Sequence, residues 1–418
     1  MTQDIQSDPT PETVLVPRRR MSVRLIGLAG ALMFAVVLAE CGLRIVGIGK
    51  PQLYQPDQHC GSRLCPDTSG VWVSEGHGNI RINSIGFRGP EVTLPKPEGV
   101  FRIAVLGDSF IEALQVNEHQ TFCRVLSEQL SRKIQSCQFE IINCGVSGYG
   151  TAQQLQMLRH HVAPLTPDAV LLAVFPGNDI RNNLRSLEQD PARPYYTLSE
   201  SGDLRLDTSF RTSDAYLTAA STYEQNKRAL INRSRLLQLL HSARNRTPDQ
   251  GHALRSQSVE DGLAASVSDN LYCYSESSGD QGAQAWLLTE RLISAIADEC
   301  QRLNTSLIVF TVSTPAQVYP DAELRARLQR QVGVHDLLYA DRRIQQLCAS
   351  AGIDFVPLAS QLQHNVNQSG DFYHGFGNTV MGRGHWNHVG HAAAAGLVAR
   401  YMIRSGFAAD DSSDRPTD

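Results

Sequence analysis

Four short polar blocks carry the residue types of nucleophilic acyl chemistry. Gly107-Asp108-Ser109-Phe110 directly follows an apolar run, Arg102-Ile-Ala-Val-Leu106, and so exposes a hydroxyl where a strand ends. Serine is a poor nucleophile alone and needs a base within hydrogen-bond reach. Asn143-Cys-Gly-Val-Ser-Gly148 follows a second apolar run and brings a bare backbone N–H close to a substrate at Gly148. Gly177-Asn178-Asp179 follows a third, where an amide side chain can donate to a developing oxyanion. Gly384-His385-Trp386-Asn387 precedes the last amphipathic stretch, and His385 there can fold back over the sheet edge to Ser109. Taken singly, each block has a plain alternative: a strand-to-helix turn, a glycine turn, a helix N-cap, a packed histidine. His388 and His391 follow His385 at three-residue spacing, but no carboxylate or cysteine stands at a familiar ligand spacing, so no metal is expected.

The elements that must position these blocks alternate in type. Short apolar runs of buried-strand character lie at Arg102–Leu106, Phe139–Ile142, Ala169–Phe175, Leu307–Val312 and Ile353–Val356. Helical patterns fall between and after them, at about Thr121–Ile134, Thr151–Val162, Ala285–Leu303, Leu337–Ala351 and His388–Ile403. This rhythm implies an α/β domain with a mainly parallel sheet covered on both faces, which binds ligands at the carboxyl ends of its strands. The domain is expected over residues 99–403. A Ser- and Asp-rich stretch over 185–282, around one amphipathic piece at Arg235–Arg244, interrupts it as an insertion near the active-site rim. Residues 404–418 read as a disordered tail.

The N-terminal region reads as a membrane segment. Arg18, Arg19 and Arg20 precede an apolar run from Leu25 to Ala39, with Arg24 on one side and Glu40 and Arg44 on the other. Crossing hydrocarbon takes about 20 apolar residues, which the run reaches by continuing through Ile45, Val46 and Ile48. A tail over 1–22, a signal anchor over 23–48 and an extended, Pro- and Gly-rich juxtamembrane segment over 49–98 are expected. Glu40 and Arg44, one turn apart, can pair at the far interface. A cleaved signal peptide cut before Glu40 is the rival, and both readings export the same domain. The net charge of −4, with no basic stripe elsewhere, argues against nucleic acid as a partner. Nine cysteines in an exported chain permit disulfides, with Cys60 and Cys65 the nearest local pair.

Together the four blocks resemble the SGNH or GDSL hydrolase family, whose blocks contribute Ser, Gly, Asn and His in that order. The matching residues are Ser109, Gly148, Asn178 and His385. The resemblance runs from about Asn83 to Met402 and includes Asn83-Ser-Ile-Gly-Phe-Arg-Gly89, which looks like a lead-in of anchored bacterial members. It implies a flavodoxin-like three-layer α/β/α sandwich with a five-stranded sheet, and an esterase that uses no cofactor. Ser109 is the implied nucleophile, His385 its base, and Ser109 N–H, Gly148 N–H and the Asn178 amide the oxyanion donors. Members usually carry an Asp two or three residues before the histidine, where this chain has Gly382 and Arg383. The imidazole must then be oriented by a backbone carbonyl or by a carboxylate from elsewhere, such as Asp371. The substrate is expected to be a small-molecule or glycan ester, of a carbohydrate or lipid type, outside the cytoplasm. An O-acetyltransferase of a cell-surface glycan and a non-catalytic ligand-binding domain are the alternatives.

Overall fold

The computed structural model describes residues 18–245, 258–276 and 279–406. Five strands form the central sheet: β1 (Val100–Gly107), β2 (Gln138–Gly145), β3 (Ala169–Val174), β4 (Ser306–Thr311) and β5 (Asp354–Val356). They lie in the order β2-β1-β3-β4-β5, every neighbouring pair parallel. This is the flavodoxin-like arrangement that the family resemblance implies, on the mainly parallel sheet that the rhythm of the sequence implies.

Side chains alternate across a strand, and here the alternation sorts the interior into two cores. Ala104, Leu106, Val170, Leu172 and Val309 pack on one face against α3 (Thr151–Met157), α4 (Gly279–Arg302) and α5 (Tyr339–Ala351). Ile103, Val105, Leu171, Ala173, Ile308 and Phe310 pack on the other against α2 (Phe122–Lys133) and α6 (His388–Arg404). Two further helices lack a signal in the sequence reading. Leu358–Ser369 joins the second core, and Ala322–Val332 packs in a small cluster of its own.

The segment 49–98 is not an extended tether. It folds into a hairpin, Tyr54–Asp57 with Gly61–Leu64, and a ribbon, Ser69–Trp72 with Gly78–Arg81. Leu53, Cys60, Leu64, Ile80, Ile82 and Phe87 are buried in the first core. Four-residue strands carry too short an alternation to announce themselves. Cys60 and Cys65 are separate thiols and not the expected disulfide. Cys60 sits at the hairpin turn and Cys65 beyond the far end of its second strand. The four strand residues between them, five Cα steps, span about 16 Å when extended, where a disulfide reaches about 7 Å between Cα atoms.

The insertion is also more ordered than its composition implies. A hairpin, Tyr195–Leu198 with Leu204–Asp207, precedes helices at Asp214–Ala220, Thr222–Arg233, Arg235–Arg244 and Val259–Asp269. The serines that suggested loop are their N-caps. Ser213, Ser221, Ser234 and Ser258 each accept a hydrogen bond from the N–H three residues on.

α1 (Arg18–Val46) is long and apolar enough over Val23–Val46 to cross a membrane. Glu40 pairs with Arg44 at 2.8 Å as expected. It also accepts from Ser234 Oγ and from the N–H groups of Arg235 and Leu236, joining α1 to the insertion. Residues 1–17 of the expected tail, and 407–418 at the other end, lie outside the described residues.

Candidate active site

β1, β2 and β3 are neighbours, so the turns after their carboxyl ends share one edge of the sheet. After Gly107 the chain turns into one helical turn, Ser109–Glu112, capped by Asp108, whose carboxylate accepts from Phe110 N–H at 2.9 Å. The turn fits because two glycines stand opposite each other across β1 and β2. A Cβ on Gly107 would lie 2.3 Å from the Ile111 side chain, and one on Gly145 2.3 Å from Glu112 N.

His385 reaches this turn from 276 residues away, with Nε2 2.8 Å from Ser109 Oγ. Its other nitrogen, Nδ1, lies 2.6 Å from Glu75 Oε2, and its backbone N–H donates to Glu75 Oε1 at 2.8 Å. Asp371 does not fill this place. It is exposed, with its N–H donating to Ser369 Oγ, and the carboxylate on the ring comes instead from the turn of the Ser69–Arg81 ribbon.

That turn is held on both sides. Asn378 accepts from Gly76 N–H and donates to Val73 O and Gly76 O, while His77 N–H donates to Gln115 O. Gly384, at φ 77°, is what lets Glu75 approach, since a Cβ there would lie 2.0 Å from Glu75 Oε1. A glycine before His385 was the one trace of Glu75 in the sequence. Nothing in the spacing connects it to a turn 310 residues upstream.

The charges of the pair support each other. Burial lowers the pKa of His385, but the Glu75 carboxylate outweighs it and holds the imidazole above its usual value. Burial raises Glu75, and the His385 contact outweighs that, leaving the carboxyl below its usual range. Phe110 covers the His385 ring at 4.9 Å between centroids. Beneath it, burial pushes His374 down to about 4, which keeps it neutral. His374 Nδ1–H donates to Gly384 O at 2.7 Å, and Trp386 Nε1–H donates to Ser313 Oγ, fixing the loop that carries His385.

Gly148 follows β2 at φ 78°, a conformation that favours glycine. Asn182 Nδ2 and Arg193 Nη2 donate to its carbonyl. Among the described residues, neither Ser109 N–H nor Gly148 N–H has a protein acceptor. Asn178 occupies the N-cap position of Asp179–Asn182, yet its side chain makes no capping bond. It lies beside Asp108, where burial pushes the carboxyl up to about 6 while Phe110 N–H, His385 and Asn178 pull it down. Glu112, pushed up to about 7 by burial, accepts from Ser147 N–H and Tyr54 O–H and so steadies the residue before Gly148. A cavity of about 380 Å³ opens beside Gly148, lined by Tyr54, Ser147, Gln153, Arg193 and Tyr216 among others.

The three C-terminal histidines do not converge. His385 is engaged by Ser109 and Glu75, His388 is exposed, and His391 is buried against the Trp386 ring at 5.7 Å.

No protein-family model matches the chain, and no curated protein matches it significantly. Solved structures similar to it include the acetyl xylan esterase AlAXEase, 13% identical over 72% of this chain and 100% of that one, with a TM-score of 0.36. TesA is 12% identical over 72% and 98%, with a TM-score of 0.34. A putative acylhydrolase from Bacteroides fragilis is 11% identical over 76% and 91%, with a TM-score of 0.31. At such identities the likeness says nothing about activity.

Proposed function

We propose that this chain is a membrane-anchored serine esterase of the SGNH/GDSL type, with Ser109 as nucleophile, His385 as base and Glu75 as the acid that orients it. The observation that carries the reading is the continuous chain from Ser109 Oγ through His385 to Glu75, at 2.8 and 2.6 Å. Glu75 accepts from Nδ1–H, so Nε2 is the acceptor for the serine proton. As Ser109 Oγ attacks an ester carbonyl, His385 takes that proton and becomes an imidazolium that Glu75 stabilises. The imidazolium then protonates the departing alcohol, and water, deprotonated by His385, releases the acid from the acyl-enzyme. Ser109 N–H, Gly148 N–H and the Asn178 amide are the oxyanion donors. No cofactor takes part in these steps.

The reading covers a carbohydrate or lipid-type ester, and a sugar hydroxyl in place of water would make the enzyme an O-acetyltransferase. An acetyl donor supplied with an oligosaccharide separates the two, because release of free acetate alone disfavours transfer. The apolar Val23–Val46 helix behind an arginine-rich flank fits an anchor that leaves the N-terminus in the cytoplasm and the catalytic domain outside.

The test is active-site labelling. Wild type is expected to react with a fluorophosphonate and hydrolyse an acyl-nitrophenol, and Ser109→Ala to do neither while melting at the same temperature. Undiminished hydrolysis by Ser109→Ala ends the proposal.

A further inference from the structure

We propose that Asp57, Cys60 and His161 form a binding site for a zinc-type divalent cation, which fastens the Glu75-bearing segment to the catalytic domain. One ligand atom from each lies within 4.8 Å of the others. A tetrahedral zinc with bonds of about 2.0–2.3 Å sets its ligand atoms about 3.3–3.8 Å apart, so small side-chain movements close the site.

Asp57 Oδ1 is occupied by the N–H groups of His59 and Cys60, at 2.9 and 2.8 Å, which orients the carboxylate and turns Oδ2 towards His161. His161 Nε2 is sealed from solvent and 3.0 Å from that Oδ2, yet it stands outside hydrogen-bond geometry. His161 arrives through a π-turn, Leu158–Val162, at the end of the helix begun by α3, an irregularity common at functional sites. Cys60 is 1% exposed at the hairpin turn, with Sγ 3.9 Å from Gln153 O.

Nitrogen, sulfur and carboxylate oxygen together select a borderline-soft ion over magnesium or calcium. The fourth position falls to water or to His59, whose ring is edge-on to His161 at 6.1 Å and stacked on His160 at 3.6 Å. Arg63 Nη1 lies 3.4 Å from His161 Nδ1. With metal on Nε2 the proton sits on Nδ1, so Arg63 must withdraw from this contact and keep its bond to Ile85 O. Binding displaces the Cys60 thiol proton to solvent and therefore tightens as pH rises. The ligands join the hairpin before Glu75 to the helix after Gly148. This consequence for Glu75 rests on the triad reading; the site does not.

The test uses the full chain in detergent, stripped by chelator and titrated with cobalt(II). A thiolate-to-cobalt charge-transfer band is expected, saturating at one ion per chain and displaced by zinc. Cys60→Ser should abolish the band, and His161→Ala should weaken binding at least about tenfold. Zinc should raise the melting temperature of the stripped wild type. No band from folded wild type, or a band that survives Cys60→Ser, overturns the proposal. Cobalt binding without fluorophosphonate labelling sinks the esterase reading and keeps the metal site. Labelling without a band does the reverse.

Discussion

As the proposed base, His385 takes the serine proton only when its ring is neutral, and Glu75 is the main influence that raises the pH at which that happens. The carboxylate holds the imidazole above the usual histidine value, so hydrolysis should rise with pH along a limb centred above 6.5. Glu75→Gln removes the raising influence and leaves the lowering effect of burial, so the midpoint should move to lower pH. The plateau should fall by about a hundred- to ten-thousandfold, because an amide does not hold the productive tautomer. Glu75→Asp should recover part of the loss. A pH–rate profile whose midpoint stays in place would remove Glu75 from the triad. Asn178 should behave differently, since it donates to charge that exists only in the transition state. Asn178→Ala should lower kcat about a hundred- to a thousandfold with little change in KM or in the acidic limb. Ser109, Gly148 and Asn178 were legible as candidates because each stands in a short block that follows a strand, and His385 because its block directly precedes the last helix. Glu75 was not, because its place depends on Gly384, on Asn378 and on the folding of a ribbon far upstream.

At the level of elements, the lead-in Asn83–Gly89 was recognisable as a pattern, but its physical role appears only in the fold. Asn83 Oδ1 accepts from the N–H groups of Ile85 and Phe87, closing a turn that aims Arg88 inward. Arg88 is 4% exposed and donates to the carbonyls of Glu112, Ala113 and Val116, at the end of the helical turn carrying Ser109. Ala113 there adopts φ 57°, so the helix stops abruptly and leaves carbonyls that need a donor. Arg88→Met keeps the apolar volume and strips the Glu112 and Val116 carbonyls of their donor, while Ala113 O keeps the Val116 N–H. Each buried acceptor left unpaired costs about 1–3 kcal/mol, so thermal unfolding should reveal a loss of at least about 2 kcal/mol. Arg88→Lys should not restore it, because one ammonium cannot reproduce the guanidinium fork. Equal stability of Arg88→Met and wild type would show that the turn holds without its clamp. The insertion teaches a related lesson. Serines read as loop because capping and coil share a composition, and only the accepted N–H bonds tell them apart.

For the whole molecule, five apolar runs sufficed to forecast the sheet, because a strand buried on both faces is apolar along its length. The forecast of where the catalytic unit begins was wrong for the complementary reason. Residues 49–98 contribute only four-residue strands, and they are bound to the domain by contacts distant in sequence: Glu75 on His385, Tyr54 on Glu112, Arg88 on the nucleophile turn. Truncation separates the two boundaries. Removing residues 1–48 takes away α1 and the Glu40 contacts at the start of Arg235–Arg244, a loss of about 1 kcal/mol for a helix cap. That protein should leave the membrane fraction and keep its esterase activity. Removing residues 1–98 takes the triad acid and the Arg88 clamp as well, and should abolish fluorophosphonate labelling. Because the shorter piece can fail simply by not folding, the deciding sample is the 49–418 protein carrying Glu75→Gln. It should melt close to its parent and show the kinetic defect expected of the full chain. If a chain beginning at residue 99 instead folds and labels like the full protein, catalysis needs only Ser109 and His385, and the upstream ribbon is packing.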